Sequence, residues 1–187
     1  MSTPILLEIS KELLEKANIH SKQRMEFEYN RAGYNLDIRK SMVLIGTIGQ
    51  LGFKKYLDSL KNIEYDMELQ AGKYDSYDFI VNKRICEIKT SGYFDYWHKL
   101  NLLYSKDQFF QGTSKNFDVC FQLFINGYNR KTKILNLSEC NQLVIAGFIK
   151  FSDIGRFKNP TPLFWGDDFK IPLDKLDSVE NFFMDLK

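Results

Sequence analysis

Asp78, Glu87 and Lys89 are the residues whose types and spacing point most directly to chemistry. Tyr77-Asp78-Phe79-Ile80-Val81 reads as one strand, Asn82-Lys83 as a two-residue turn, and Arg84 to Lys89 as the next strand. Side chains alternate along a strand, so Glu87 and Lys89 share one face while Ile88 points to the other. A hairpin paired about Asn82-Lys83 sets Asp78 opposite Glu87, with Cβ atoms about 4.5–5.5 Å apart. Two carboxylates so placed repel each other unless a cation lies between them. Mg2+ relieves that repulsion: it takes one or two carboxylates and fills its other positions with water and phosphate oxygens. Such an ion activates water and stabilises charge building on a phosphate, and a neighbouring ammonium can orient that water. The chemistry expected is hydrolysis of a phosphodiester.

The tripeptide Glu-x-Lys alone carries no information, because ten Glu and 20 Lys produce it by chance. Its setting does. Phe79, Ile80, Val81, Ile85, Cys86 and Ile88 surround these charges with residues of buried type, and charges in such company are seldom idle. Asp75 is a rival for the first acid but precedes the strand pattern. Asp168-Phe169-Lys170 repeats the acid-x-Lys spacing in a Gly-Asp-Asp stretch, where a solvated loop is expected. His20 and His98 lack the spacing of any histidine metal motif, and Gln108 and Gln111 read as solvent-facing helix residues. No phosphate loop or dinucleotide fingerprint is present, so no organic cofactor is expected. Cys86, Cys120 and Cys140 are odd in number and without CxxC spacing, which disfavours a disulfide scaffold and a thiolate zinc site and fits a reduced compartment.

The elements that must position these residues follow from periodicity. Ile5 to Ala17 carries Ile5, Ile9, Leu13 and Leu14 on one helical face, and Ser21 is placed to cap a second helix to about Asn30. Ser41 opens a longer helix to Leu60, with Gly46, Gly49 and Gly52 at steps of three, a spacing that predicts close packing on a neighbouring backbone. Ile63 to Leu69 alternates apolar and acidic residues as a half-buried strand does. Residues 93–111 are aromatic-rich and read as a helix, Val119 to Ile125 as a strand buried on both faces, and Lys133 to Leu135 and Leu143 to Ile149 as further strands. Pro172 precedes a short closing helix. This order predicts an α/β (α+β) fold with a mixed central sheet flanked by helices.

At 187 residues, 44% apolar and 15% aromatic, the chain can build a core and reads as one domain; disorder and collagen are excluded. No apolar run approaches the roughly 18 residues that span a bilayer, and the first 16 residues lack a signal-peptide core, so a cytoplasmic location is expected. Net charge is only +2. It hides an acidic block over residues 62–82 between basic stretches at 22–61 and 115–166, a pattern that fits either ordinary variation on a solvated surface or a cation-binding centre between basic walls that could hold a phosphate backbone. Arg130, Lys131 and Lys133 form an exposed basic hairpin tip. Lys99 and Lys106 interleave with Tyr93, Phe94, Tyr96, Trp97 and Tyr104, rings expected mostly in the core with some available for stacking.

The segment from Tyr77-Asp78 through Glu87-Ile88-Lys89-Thr90-Ser91 resembles the core of the PD-(D/E)XK nuclease superfamily, which includes restriction endonucleases. That family shares an α-β-β-β-α-β core, an acid opening one strand of a hairpin, and D/E-x-K on the next. The likeness takes in the helix with Gly46-Thr-Ile-Gly49-Gln50 and the strands at Asp118 to Ile125 and Val144 to Ile149, covering roughly residues 41–150. It implies one nuclease-like domain: an N-terminal helical segment over 1–40, a restriction-endonuclease-like catalytic core over 41–150, and a C-terminal extension over 151–187. It further implies a Mg2+-dependent DNA endonuclease of type II restriction-like character, with Mn2+ as a substitute metal and a homodimer acting on DNA. Asp78, Glu87, Lys89 and Gln50 take the catalytic positions. Asp78, Glu87 and the Ile88 carbonyl take the metal positions, and Arg130, Lys131, Lys133, Lys99 and Lys106 face DNA. Tyr77 stands where the family usually has Pro, and uncharged Gln50 where it often has Glu. The same residues fit a relative that binds nucleic acid without cutting it, or a junction or repair nuclease.

Overall fold

The computed structural model describes residues 3–26, 34–68, 77–105, 117–157 and 168–184. At the amino terminus the expected helix over 5–17 is two elements. β1 (Ile5–Glu8) alternates half-buried and exposed side chains. α1 (Lys11–Met25) follows only after Ser10, whose extended backbone and side chain, accepting from Leu13 N at 3.2 Å, cap it. Ile5, Ile9 and Leu13 satisfy a helical period and also fit a strand followed by a helix; the cap decides between them. The segment over 1–40 is therefore not wholly helical. Ser21 caps nothing: it lies inside α1, and its hydroxyl donates to Asn18 O.

α2 (Leu36–Ser59) begins earlier than expected because Asn35 Oδ1 accepts from Ile38 N at 3.0 Å. Ser41 is buried within it, accepting at Oγ from Leu135 N. Then come β2 (Tyr65–Met67), β3 (Phe79–Val81) and β4 (Arg84–Ser91). The expected helix over 93–111 is instead a 3-10 turn at Phe94–Lys99 followed by β5 (Asn101–Ser105), with residues 106–111 outside the described ones. Leu102 and Tyr104 are buried while Leu103 is half exposed, the period of two that a strand needs. β6 (Val119–Ile125) is buried at all seven positions, as expected. β7 (Tyr128–Asn129) and β8 (Ile134–Leu135) make a small hairpin. β9 (Gln142–Lys150), α3 (Phe151–Ile154), β10 (Asp168–Pro172) and α4 (Val179–Met184) complete the order.

Six strands form one sheet in the order β1-β9-β6-β4-β3-β2, in which β4 and β6 run parallel and the other neighbours antiparallel. The fold is mixed α/β, with helices packed on the sheet. One face, covered by α2 and α4, holds the main core: Ile48, Phe53, Phe79, Phe121, Phe148 and Phe182 are essentially inaccessible. Each such side chain contributes about 1.5–3 kcal/mol relative to exposure. On the other face, Cys120 and Ile149 meet the antiparallel pair β5–β10 through Leu102, Tyr104, Phe169 and Ile171. β10 corrects the expected solvated loop around Asp168-Phe169-Lys170, and it pairs residues more than sixty positions apart. All three cysteines are free and buried, and burial pushes the Cys140 thiol up to about 12. Among the described residues no helix is long and apolar enough to cross a membrane.

The structure separates the three glycines of α2. A Cβ on Gly49 would lie 1.8 Å from Thr90 Oγ1, and one on Gly52 would lie 2.6 Å from a Leu143 methyl; one on Gly46 meets nothing within 4 Å. Close approach thus explains Gly49 and Gly52 but not Gly46. Gly49→Ala is expected to lower stability by about 1–3 kcal/mol through overpacking against β4. Gly46→Ala is expected to raise it by about 0.5–1 kcal/mol through helix propensity. Urea denaturation of the two variants measures both, and effects of one sign would contradict the packing assigned to Gly49.

Candidate active site

The site starts from a turn. Asn82 and Lys83 have φ of 45° and 69°. Two successive positive values define the hairpin turn whose twist matches its flanking strands. It sets the register Val81↔Arg84, Ile80↔Ile85 and Phe79↔Cys86, and one further step puts Asp78 opposite Glu87 as expected. Both acids are buried, Asp78 at 6% and Glu87 at 8% exposure.

Each acid is held by groups that explain its burial. Asp78 Oδ2 accepts from Ile88 N at 2.7 Å, locking the acid to the strand that carries Glu87. Asp78 Oδ1 accepts from Gln50 Nε2, also at 2.7 Å. Gln50, on α2, is itself 4% exposed, and its Oε1 accepts from Arg24 Nη1 of α1 at 2.8 Å. The carboxamide is thereby oriented: its oxygen faces Arg24 and its nitrogen faces Asp78, so in this arrangement Gln50 acts on Asp78 as a donor. Glu87 Oε1 accepts from Lys89 Nζ at 2.8 Å, and that ammonium lies 5.1 Å from the centre of the Tyr104 ring on β5. Burial pulls the Lys89 ammonium down, but the charge and hydrogen bond of Glu87 more than reverse this and hold it above the ordinary lysine range. Burial pushes the Tyr104 phenol up. Lys89 is therefore a cation, and Tyr104 a neutral ring over it.

Ile88 turns its side chain into the main core while its main-chain N–H meets Asp78. Thr90 packs on the α2 face, its Oγ1 buried against Gly49 without a partner among the described residues. Two carboxylates and a main-chain carbonyl are hard oxygen donors suited to a divalent cation, and the fixed ammonium is suited to a phosphate.

Next to Lys89 a cavity of about 490 Å3 opens between β4, β6 and the β5–β10 pair. Its floor includes Gln122, which pairs with Lys89 across the parallel ladder. Opposite Gln122 the register with β9 shifts, and Gly147, at φ 149°, takes up the irregularity.

No family model, curated protein or solved structure matches this chain. The reading of the site therefore rests on its own geometry.

The structure brings Asp78, Glu87, Lys89, Gln50 and the Ile88 main chain together. Lys106, Asp75, Gln108 and Gln111 lie outside the described residues. Lys99 is exposed at the end of the 3-10 turn. Arg130 and Lys131 stand exposed on the β7–β8 turn, where Asn129 Oδ1 accepts from Lys131 N and Thr132 N. The Arg130 guanidinium lies 5.2 Å from the Tyr93 ring centre, and Lys133 Nζ lies 4.8 Å from that of Tyr34. Since Tyr93 also lines the cavity, the basic tip is joined to the site. On the DNA-binding reading proposed below, replacing Arg130 and Lys131 together by alanine is expected to weaken that binding and flatten its dependence on log salt by about one to two contacts. Unchanged slopes in a salt titration would remove this tip from the interface. Sequence reasoning missed Arg24 and Gln122, placed Tyr104 only among rings expected mostly in the core, and set Lys170 aside in a solvated loop despite its acid-x-Lys spacing.

Proposed function

We propose that this chain is a Mg2+-dependent DNA endonuclease with a restriction-endonuclease-like core, closest in kind to type II restriction enzymes. The observation that carries the reading is the buried pair Asp78 and Glu87 brought together across one tight turn, with Lys89 fixed beside them. The order α2-β2-β3-β4, with β6 parallel to β4 at the centre of the sheet, supports it.

The donor set fits the metal: Asp78, Glu87 and the Ile88 carbonyl would hold it, and Mn2+ would substitute. When bound, it supplies charge stabilisation on the scissile phosphate and lowers the cost of deprotonating water. Lys89 orients the attacking water and faces the charge that develops on the phosphate. Gln50 and Arg24 hold Asp78 in place. One such site cleaves one strand, so cutting both strands requires a two-fold pair of chains.

A second reading, a DNA-binding module that does not cut, is favoured by one observation: the helix position beside Asp78 is a neutral amide committed to Arg24. Incubation with supercoiled plasmid, linear duplex and branched DNA, with Mg2+ or with EDTA, separates the two. Metal-dependent nicking or linearisation is expected. DNA binding with no cleavage of any substrate would establish the second reading instead.

A further inference from the structure

Resting on the reading above for its substrate, we propose that the cavity beside Lys89 receives one base of a DNA strand whose phosphate lies between Lys89 and Lys170. At about 490 Å3 it falls within the usual size of small-ligand sites. Its wall includes the half-buried Tyr93 ring, held against Tyr128 at 5.1 Å, while Phe124, fully buried and 6.0 Å from Trp97, backs that wall without presenting a face to it. A planar base stacking on a ring already fixed loses little to its ordering.

The floor is polar. Gln122 is 2% exposed, and its Nε2 donates to Leu123 O at 2.7 Å, which orients the carboxamide. Its Oε1 accepts from none of the described residues. An apolar ligand would leave that oxygen unsatisfied, whereas the edge of a base carries N–H donors. Lys170, exposed on β10 and paired with Leu103, lines the cavity together with the half-buried Lys89. An aromatic wall, a buried amide and two lining ammonium groups match a nucleotide: a base beside the ring and amide, its phosphate toward the lysines. An unpaired or extruded base of a strand and a free mononucleotide share that chemistry.

The test uses an eight-nucleotide single strand carrying 2-aminopurine at one position at a time, and 2-aminopurine deoxynucleoside monophosphate alone. Both are titrated into the full chain in EDTA, where nothing is cut. The expected result is a fluorescence change confined to one position of the strand. Gln122→Leu and Leu103→Trp should each abolish it and weaken strand binding about tenfold. Leu103 is 50% exposed, so added bulk there closes the mouth without entering the core, and melting temperatures check both variants. A signal from the mononucleotide but not from the strand overturns the strand assignment. A signal equal at all positions, or untouched by both variants, overturns the cavity. Cleavage with Mg2+ but no position-specific signal overturns this inference and leaves the nuclease standing; a position-specific signal without cleavage of any DNA supports the cavity and overturns the nuclease.

Discussion

Lys89→Ala is expected to lower the rate of DNA cleavage by about 10²–10³-fold while leaving DNA affinity within a few-fold. The magnitude is that of removing one preorganised donor from a site where charge develops in the transition state. Affinity survives because one ammonium among several phosphate contacts adds little to ground-state binding, whereas at the reacting phosphate it acts where charge accumulates. The structure supplies the reason this lysine is preorganised: Glu87 holds Nζ at 2.8 Å and the Tyr104 ring covers it, so little reorganisation is left for the reaction step. Removing the ammonium also leaves Glu87 without that buried partner, so the variant will be less stable. Lys89→Gln, which keeps a donor toward Glu87, separates the two effects. Single-turnover cleavage and filter binding, both on folded protein, make the measurement. Loss of binding with unchanged cleavage per bound complex would turn Lys89 into a phosphate clamp and withdraw the catalytic role.

Asp78→Asn is expected to abolish metal-dependent cleavage and to lower stability by about 1–3 kcal/mol, an unusual cost for so small a change. The two oxygens of Asp78 accept from different N–H groups, Gln50 Nε2 on one and Ile88 N on the other. An asparagine amide has one acceptor and one donor end, so whichever way it turns, one N–H meets another N–H inside a buried site. The same substitution removes one of the two carboxylates of the proposed metal site. Equilibrium unfolding without metal isolates the first effect, and Mn2+ titration by calorimetry isolates the second. A variant as stable as the parent would contradict the hydrogen-bond arrangement given for Asp78. A variant that still binds Mn2+ with parental affinity would exclude Asp78 as a ligand.

What the sequence by itself determined is local. The Asn82-Lys83 turn sets the register of β3 against β4, because a two-residue loop with both φ values positive leaves one way for the strands to pair. From it follow the opposition of Asp78 and Glu87 and the shared face of Glu87 and Lys89. The six apolar residues of β6, interrupted only by Gln122, likewise announce a strand buried on both faces.

Tertiary structure decided the rest, through contacts whose partners are far apart in the chain and so leave no local period. Gln50 reaches Asp78 because Gly49 lets α2 descend onto Thr90 of β4; Arg24 reaches Gln50 only because α1 packs on α2. β1 is a strand because β9 offers it an edge, although its residues also suit a helix. Lys170 joins Lys89 at one cavity because β10 pairs with β5, and a strand of five residues gains its hydrogen bonds only from such a neighbour. Periodicity reports which face of an element is apolar; it does not report which distant element covers that face, and that choice built the surroundings of the site.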